Sequence, residues 1–203
     1  MSQIKVGAIL SYLSIIISLV VSLIYTPLVI RYLGQSEYGL YALIGSFSAY
    51  FSILDLGLGN TIVRYTARNR AIGNKDEESK LNGFFLILYS IIGVITIILG
   101  TILYYRIDSI FSTSFSAIEL QKTKTMVIIL IINFALSFPL AIFGSIMQAY
   151  EKFVIIKIIG IMRVIGIPLI TLPLLILGYG SVEMVLISSI VNKTLYSSTN
   201  SGI

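Results

Sequence analysis

Three stretches of this chain carry no charged residue for about 25 positions each: Val6 to Ile30, Leu81 to Tyr105 and Thr125 to Tyr150. Runs of that kind leave few folds open. A helix rising 1.5 Å per residue needs about 20 apolar residues to cross a hydrocarbon core of about 30 Å. Inside that core every backbone polar group must be paired within the protein, which only helices and closed barrels achieve. The runs lack the apolar/polar alternation of barrel strands, so they predict an all-α, polytopic membrane helix bundle. Composition agrees: 57% of the 203 residues are hydrophobic and 11% charged, whereas soluble domains carry about a quarter charged residues.

Reading outward from where charges stop gives five full transmembrane helices, at about 7–32, 38–63, 82–105, 125–149 and 154–177. The second holds Asp55. The fifth holds Lys157 and Arg163 near its start and Pro168 and Pro173 further on, and Pro168 predicts a kink. A partial sixth helix, 181–195, is too short for a regular span, and 196–203 forms a polar tail, so the segment after Ser181 is expected at an interface or threaded partway in. The first run far exceeds a signal-peptide core and no A-x-A site follows it, so it is read as retained. Lys5, Arg64, Arg68, Arg70, Lys75, Lys80, Lys152, Lys157 and Lys193 fall on one side of this topology, against Arg31, Arg106, Lys122 and Lys124 on the other. The positive-inside rule therefore puts the N-terminus in the cytoplasm of a multi-pass protein. Tyr32, Tyr38, Tyr65, Tyr104, Tyr105 and Tyr150 lie at run ends, where interfacial aromatics belong.

Many chemistries drop out. The sequence has no Cys and no His, which removes Cys/His metal sites, thiol nucleophiles, Ser-His triads and disulfides. No Walker A pattern occurs, and the glycines of "LGLGN" do not fit a dinucleotide fingerprint. The net charge of +5 is loop charge without interleaved aromatics, so no nucleic-acid partner is implied. Neither is a metal or cofactor.

The second helix is more informative. Ala42, Gly45, Ser46, Ala49 and Ser52 recur at three- and four-residue steps, a small-residue stripe expected to pack against another helix, and Gly57 and Gly59 extend the helix-packing set. The preceding "RYLGQSEYG" reads as a tight break: Gly34 ends the first helix, Ser36 caps the next, and the two form an antiparallel hairpin. Asp55 must face the bundle interior or a wet cavity, because a carboxylate inside a span costs about 2.5–3.5 kcal/mol. Arg64 lies nine residues on and out of phase in a straight helix. Arg163, at a similar depth on the fifth helix, is the better partner; the pair serves structure, or binds a coupling ion or substrate, or else Asp55 lies shallow and exposed to water. Arg64 and Arg68, one turn apart, anchor topology against anionic lipid or hold an anionic headgroup. In "GNKDEESK", Asn74 reads as a helix cap with Glu77 at the box position. Asn133 and Gln148 read as interhelical hydrogen-bond formers.

Residues Thr26 to Ala67, "TPLVIRYLGQSEYGLYALIGSFSAYFSILDLGLGNTIVRYTA", resemble the first helical hairpin of bacterial polysaccharide flippases of the multidrug, oligosaccharidyl-lipid and polysaccharide exporter superfamily. The likeness rests on Pro followed by R-x-L-G, on E-Y-G opening the second helix and on D-L-G-L-G before an Arg. "FPLAIFGSIMQAYEKF", Phe138 to Phe153, is similar to the family's fourth helix and the loop after it. The resemblance implies a non-enzymatic transporter of the bacterial cytoplasmic membrane. It would flip undecaprenyl-diphosphate-linked oligosaccharide for O-antigen or related polysaccharide by alternating access between two six-helix bundles, coupled to H+ or Na+. It also implies that the chain corresponds to the N-terminal bundle, a truncated half that does not transport alone and whose partners include membrane lipids and either a second copy or a C-terminal bundle. Asp55 and Arg163 would line the cavity, and Arg64 and Arg68 its entrance. A multidrug exporter of the same superfamily and a membrane enzyme of polysaccharide assembly are the alternatives.

Overall fold

The structure, a computed structural model, describes the backbone of residues 3–200 and the side chains of residues 6–194. Its elements are α1 (Gln3–Ser52), a 3-10 turn at Ile53–Asp55, α2 (Leu58–Ile72), α3 (Lys75–Phe111), α4 (Ala117–Ala149), α5 (Phe153–Ile176) and α6 (Ser181–Asn200). Four helical stretches are long and apolar enough to span a membrane: Val6–Ile72, Lys75–Phe111, Ala117–Ala149 and Phe153–Ile176. The first has the length to do so twice. The chain is a polytopic helical membrane protein, as the uncharged runs predict.

α1 is helical on both sides of Gly34, whose φ of 77° and ψ of 170° no L-residue holds comfortably. Tyr25 and Tyr41, from opposite arms, pack against one small core of Val29, Leu175 and Met184; a straight helix would hold them about 24 Å apart. The arms therefore fold back on each other, as the "RYLGQSEYG" break predicts. Ser36 does not cap the second arm: its hydroxyl donates to Glu119 at the start of α4.

The predicted second span is corrected. Instead of one helix over 38–63, α1 stops at Ser52, and Leu56 (φ 49°) and Gly57 (φ 74°) take left-handed conformations before α2 begins. Two successive left-handed residues cannot continue a right-handed helix.

α4 lies at the centre. On one side Met126, Val127 and Leu130 pack with Leu40, Ile44 and Phe51 of α1, Ile107 of α3 and Val185 of α6. Toward its other end Phe138 and Ile142 pack with Ile62, Phe85 and Tyr89. Close helix approach occurs between α3 and α4: a Cβ on Gly93 would lie 2.9 Å from the Ala135 carbonyl oxygen, and one on Gly100 would collide with the Ile131 side chain. The stripe expected to pack, Ala42, Gly45, Ser46, Ala49 and Ser52, is exposed throughout. The side of α1 opposite the stripe carries the buried Leu40, Ile44 and Phe51, which satisfy its packing instead.

Helix ends extend beyond the uncharged runs. α3 starts at Lys75, seven residues ahead of the predicted 82, with the Asn74 side chain accepting from the Glu77 amide as the sequence suggests. α4 starts at Ala117 rather than 125, behind a Ser116–Glu119 capping box. α5 runs through Pro168 and Pro173 as one helix. α6 packs into the bundle through Met184 and Val185, and its helix continues to Asn200, past the predicted 195, so part of the expected polar tail is helical; 201–203 lie outside the described residues.

Polar contacts gather the turns into two ends. At one, Tyr150 donates to Glu78 at 2.8 Å and Arg70 sits 4.4 Å above the Tyr150 ring, joining the α2–α3 and α4–α5 turns. At the other, Glu37 accepts from Lys122 and from the Ser181 amide and hydroxyl, and Lys124 meets Asp108. This grouping is the one an up-and-down topology requires.

Candidate functional site

The break after α1 decides where Asp55 points. Ending the helix at Ser52 releases the chain from helical phase, and the 3-10 turn delivers the carboxylate beside Tyr89 of α3. The Tyr89 hydroxyl donates to Asp55 Oδ1 at 2.7 Å. Tyr89 is fully buried and stacks on Phe138, with ring centroids 6.4 Å apart, so its hydroxyl is held in place by packing. Gly59, in the first turn of α2, lets the elements close on this point: a Cβ there would lie 3.3 Å from Ser145 Oγ and 3.8 Å from the Tyr89 hydroxyl. Gly57 serves the turn rather than packing, since a Cβ on it would meet open space.

Beside this contact lies a cavity of about 490 Å³ between α1, the break, the start of α2, α3, α4 and α5. Its polar lining includes Asp55, Tyr89, Ser145, Gln148, Lys157 and Arg163. Asp55 and Arg163 are thus brought to one chamber, as the depth comparison predicts, and Lys157 joins them. Two cations face one carboxylate. In a low-dielectric surrounding that imbalance favours an anion, and the amide and hydroxyls supply further hydrogen bonds.

Arg64 and Arg68 lie elsewhere. Both are exposed on α2 and do not line the cavity. Their neighbour Arg70 is drawn onto Tyr150, whose phenol the Glu78 hydrogen bond holds above its ordinary pKa. Arg70, Lys75, Glu78 and Tyr150 line a separate hollow at that end.

Sequence reasoning missed Tyr89 as the partner of Asp55. The available signal was its position: a tyrosine eight residues inside an uncharged run, away from the interfaces where such rings collect, needs a polar partner inside. Gln148, read as an interhelical bridge, is exposed and faces the cavity.

A family model described as polysaccharide biosynthesis protein matches residues 4–198. No curated protein and no solved structure matches.

Proposed function

The chain belongs to the polysaccharide biosynthesis protein family, and from that premise we propose that it handles a diphosphate-linked oligosaccharide lipid on its way across the bacterial cytoplasmic membrane, with its N-terminus in the cytoplasm. The observation that carries the reading is the cavity in which Lys157 and Arg163 outnumber Asp55. A diphosphate needs several cationic and hydrogen-bonding donors where water is scarce, and this chamber offers them at one place. An organic cation, the cargo of a drug exporter, would meet net repulsion there.

Asp55 has a separate task in this proposal. Its carboxylate is the acidic group of the chamber, and binding H+ or Na+ would neutralise it. That change alters the field felt by the anionic headgroup and the acceptor offered to Tyr89, which couples ion occupancy to substrate affinity. Arg64 and Arg68, exposed at the basic end, attract anionic headgroups to the membrane surface nearby.

Binding to the chain in lipid nanodiscs tests the proposal. Undecaprenyl-diphosphate-oligosaccharide should bind, and Lys157→Gln should weaken it about tenfold, the effect of losing one charge-assisted contact. Asp55→Asn should remove the dependence of affinity on H+ or Na+. Equal affinity for a neutral lipid-linked glycan, or no effect of Lys157→Gln, would overturn the reading.

A further inference from the structure

Arg31 is out of place by the charge rule. It stands at the end of the bundle that carries Glu37 and Ser181, opposite the basic turns, yet among the described residues no carboxylate pairs with it. It borders a groove of about 580 Å³ on the outside of α1, lined by Ser22, Leu23, Thr26, Pro27, Ile30 and Arg31 itself. Leu23 and Ile30 turn 75% and 40% of their surface outward, so the groove is open on the outer face of the helix.

The groove also holds polar groups with nothing to bond. Pro27 has no N–H, so the Leu23 carbonyl lacks its usual partner one turn on. Ser11, Ser90, Thr96 and Thr125 each donate to the carbonyl four residues earlier. Ser22 and Thr26 form no hydrogen bond among the described residues. Unpaired hydroxyls facing hydrocarbon are costly, and an unpaired guanidinium at its edge more so.

We propose that this groove binds one acidic phospholipid, with its phosphate on Arg31 and an acyl chain along Leu23, Pro27 and Ile30. Spacing along the helix fits. Thr26 lies five residues, about 7.5 Å, below Arg31, at the depth of the ester oxygens of a lipid whose phosphate sits at the guanidinium. Those oxygens accept from Thr26, while Ser22, about 6 Å deeper, lies below the ester level. The assignment rests on charge complementarity and on the idle Thr26 hydroxyl, and it does not depend on what the inner cavity carries.

The full chain, reconstituted in phosphatidylcholine with or without phosphatidylglycerol, provides the test. Phosphatidylglycerol should raise the melting temperature of the wild-type protein. Arg31→Gln should lose more than half of that increment while melting normally in phosphatidylcholine alone, Arg31→Lys should keep part of it, and Arg106→Gln, an exposed cation away from the groove, should keep all. Native mass spectrometry should find one phosphatidylglycerol fewer on Arg31→Gln. An increment unchanged in Arg31→Gln would overturn the proposal. So would an equal rise with inorganic phosphate alone, or stabilisation through Arg31 by a polyprenyl diphosphate and not by phosphatidylglycerol, since the first makes the occupant a free anion and the second makes it the transported lipid.

Discussion

The first 72 residues contain two breaks, and the helix stops for different reasons at each. At Gly34 the chain turns among polar neighbours, and Glu37, three residues on, ties the turn to Lys122 of α4 and Ser181 of α6. At Leu56 and Gly57 the chain bends within an apolar run, and the nearby carboxylate, Asp55, accepts one hydrogen bond from Tyr89 and otherwise faces a cavity. One acid is committed to joining helices. The other is left with bonding capacity to spare, which is what a binding group needs and a structural one does not.

Neutralising each acid should separate them most clearly. Glu37→Gln weakens charge-assisted bonds that join three elements, and should cost about 2 kcal/mol of unfolding free energy. Asp55→Asn leaves an amide oxygen that still accepts from Tyr89, and should cost under about 1 kcal/mol. Chemical denaturation in mild detergent measures both. Equal costs would break the comparison and make Asp55 a structural residue.

The two glycines come next. Gly34, with ψ near 170°, occupies a region that is nearly glycine-only, so Gly34→Ala should cost about 2 kcal/mol. Gly57, at φ 74° and ψ 16°, is left-handed helical, where Gly57→Ala should cost about 1 kcal/mol and Gly57→Asn less. A Gly57→Ala penalty above that of Gly34→Ala would mean that the inner break is the more rigid of the two. Tyr89→Phe keeps the stacking on Phe138 and deletes the bond to Asp55, for about 1 kcal/mol.

The sequence declared these two regions unequally. "RYLGQSEYG" interrupts an apolar run with charge, amide and glycine, and hydropathy alone exposes it. "LDLGLGN" remains apolar on average, so a hydropathy reading carries the helix through it to 63. Its two glycines around Leu58 and its single acid were the only local warnings, and the backbone there follows from how Tyr89 and Ser145 close on Gly59 rather than from propensity. Span ends behave alike. The end of α4 and both ends of α5 lie within a residue of expectation because charges or turns stop them, whereas α3 and α4 begin seven and eight residues early because capped polar turns continue a helix beyond the hydrocarbon. That Asp55 and Arg163 line one chamber was legible from depth along two helices; the expected ion pair between them is not formed among the described residues, where Asp55 accepts from Tyr89 instead. Azimuth was not: the small-residue stripe looked like a packing face, but Leu40, Ile44 and Phe51 on the opposite side bury more apolar area, and burial decided the orientation of α1.

The smallest effect belongs to Leu56→Gly, and its sign carries the most information about the inner break. A leucine at φ 49° is held against a left-handed penalty of about 1–2 kcal/mol. Because Leu56 is 79% exposed, little burial repays that penalty within the chain. Leu56→Gly removes the backbone strain, but it gives the unfolded chain more freedom, a loss of about 0.5–1 kcal/mol. The two nearly cancel, and the expected change is a gain of no more than about 1 kcal/mol. Leu56→Val, β-branched and less tolerant of positive φ, should instead destabilise by more than Gly57→Ala. A clear gain for Leu56→Gly together with a change in ligand affinity would identify the break as a strained hinge whose conformation the cavity reads. A loss of more than about 1 kcal/mol would show that Leu56 is covered in the membrane by something that buries it, and the bend at Asp55 would then be fixed by packing rather than poised beside an open acid.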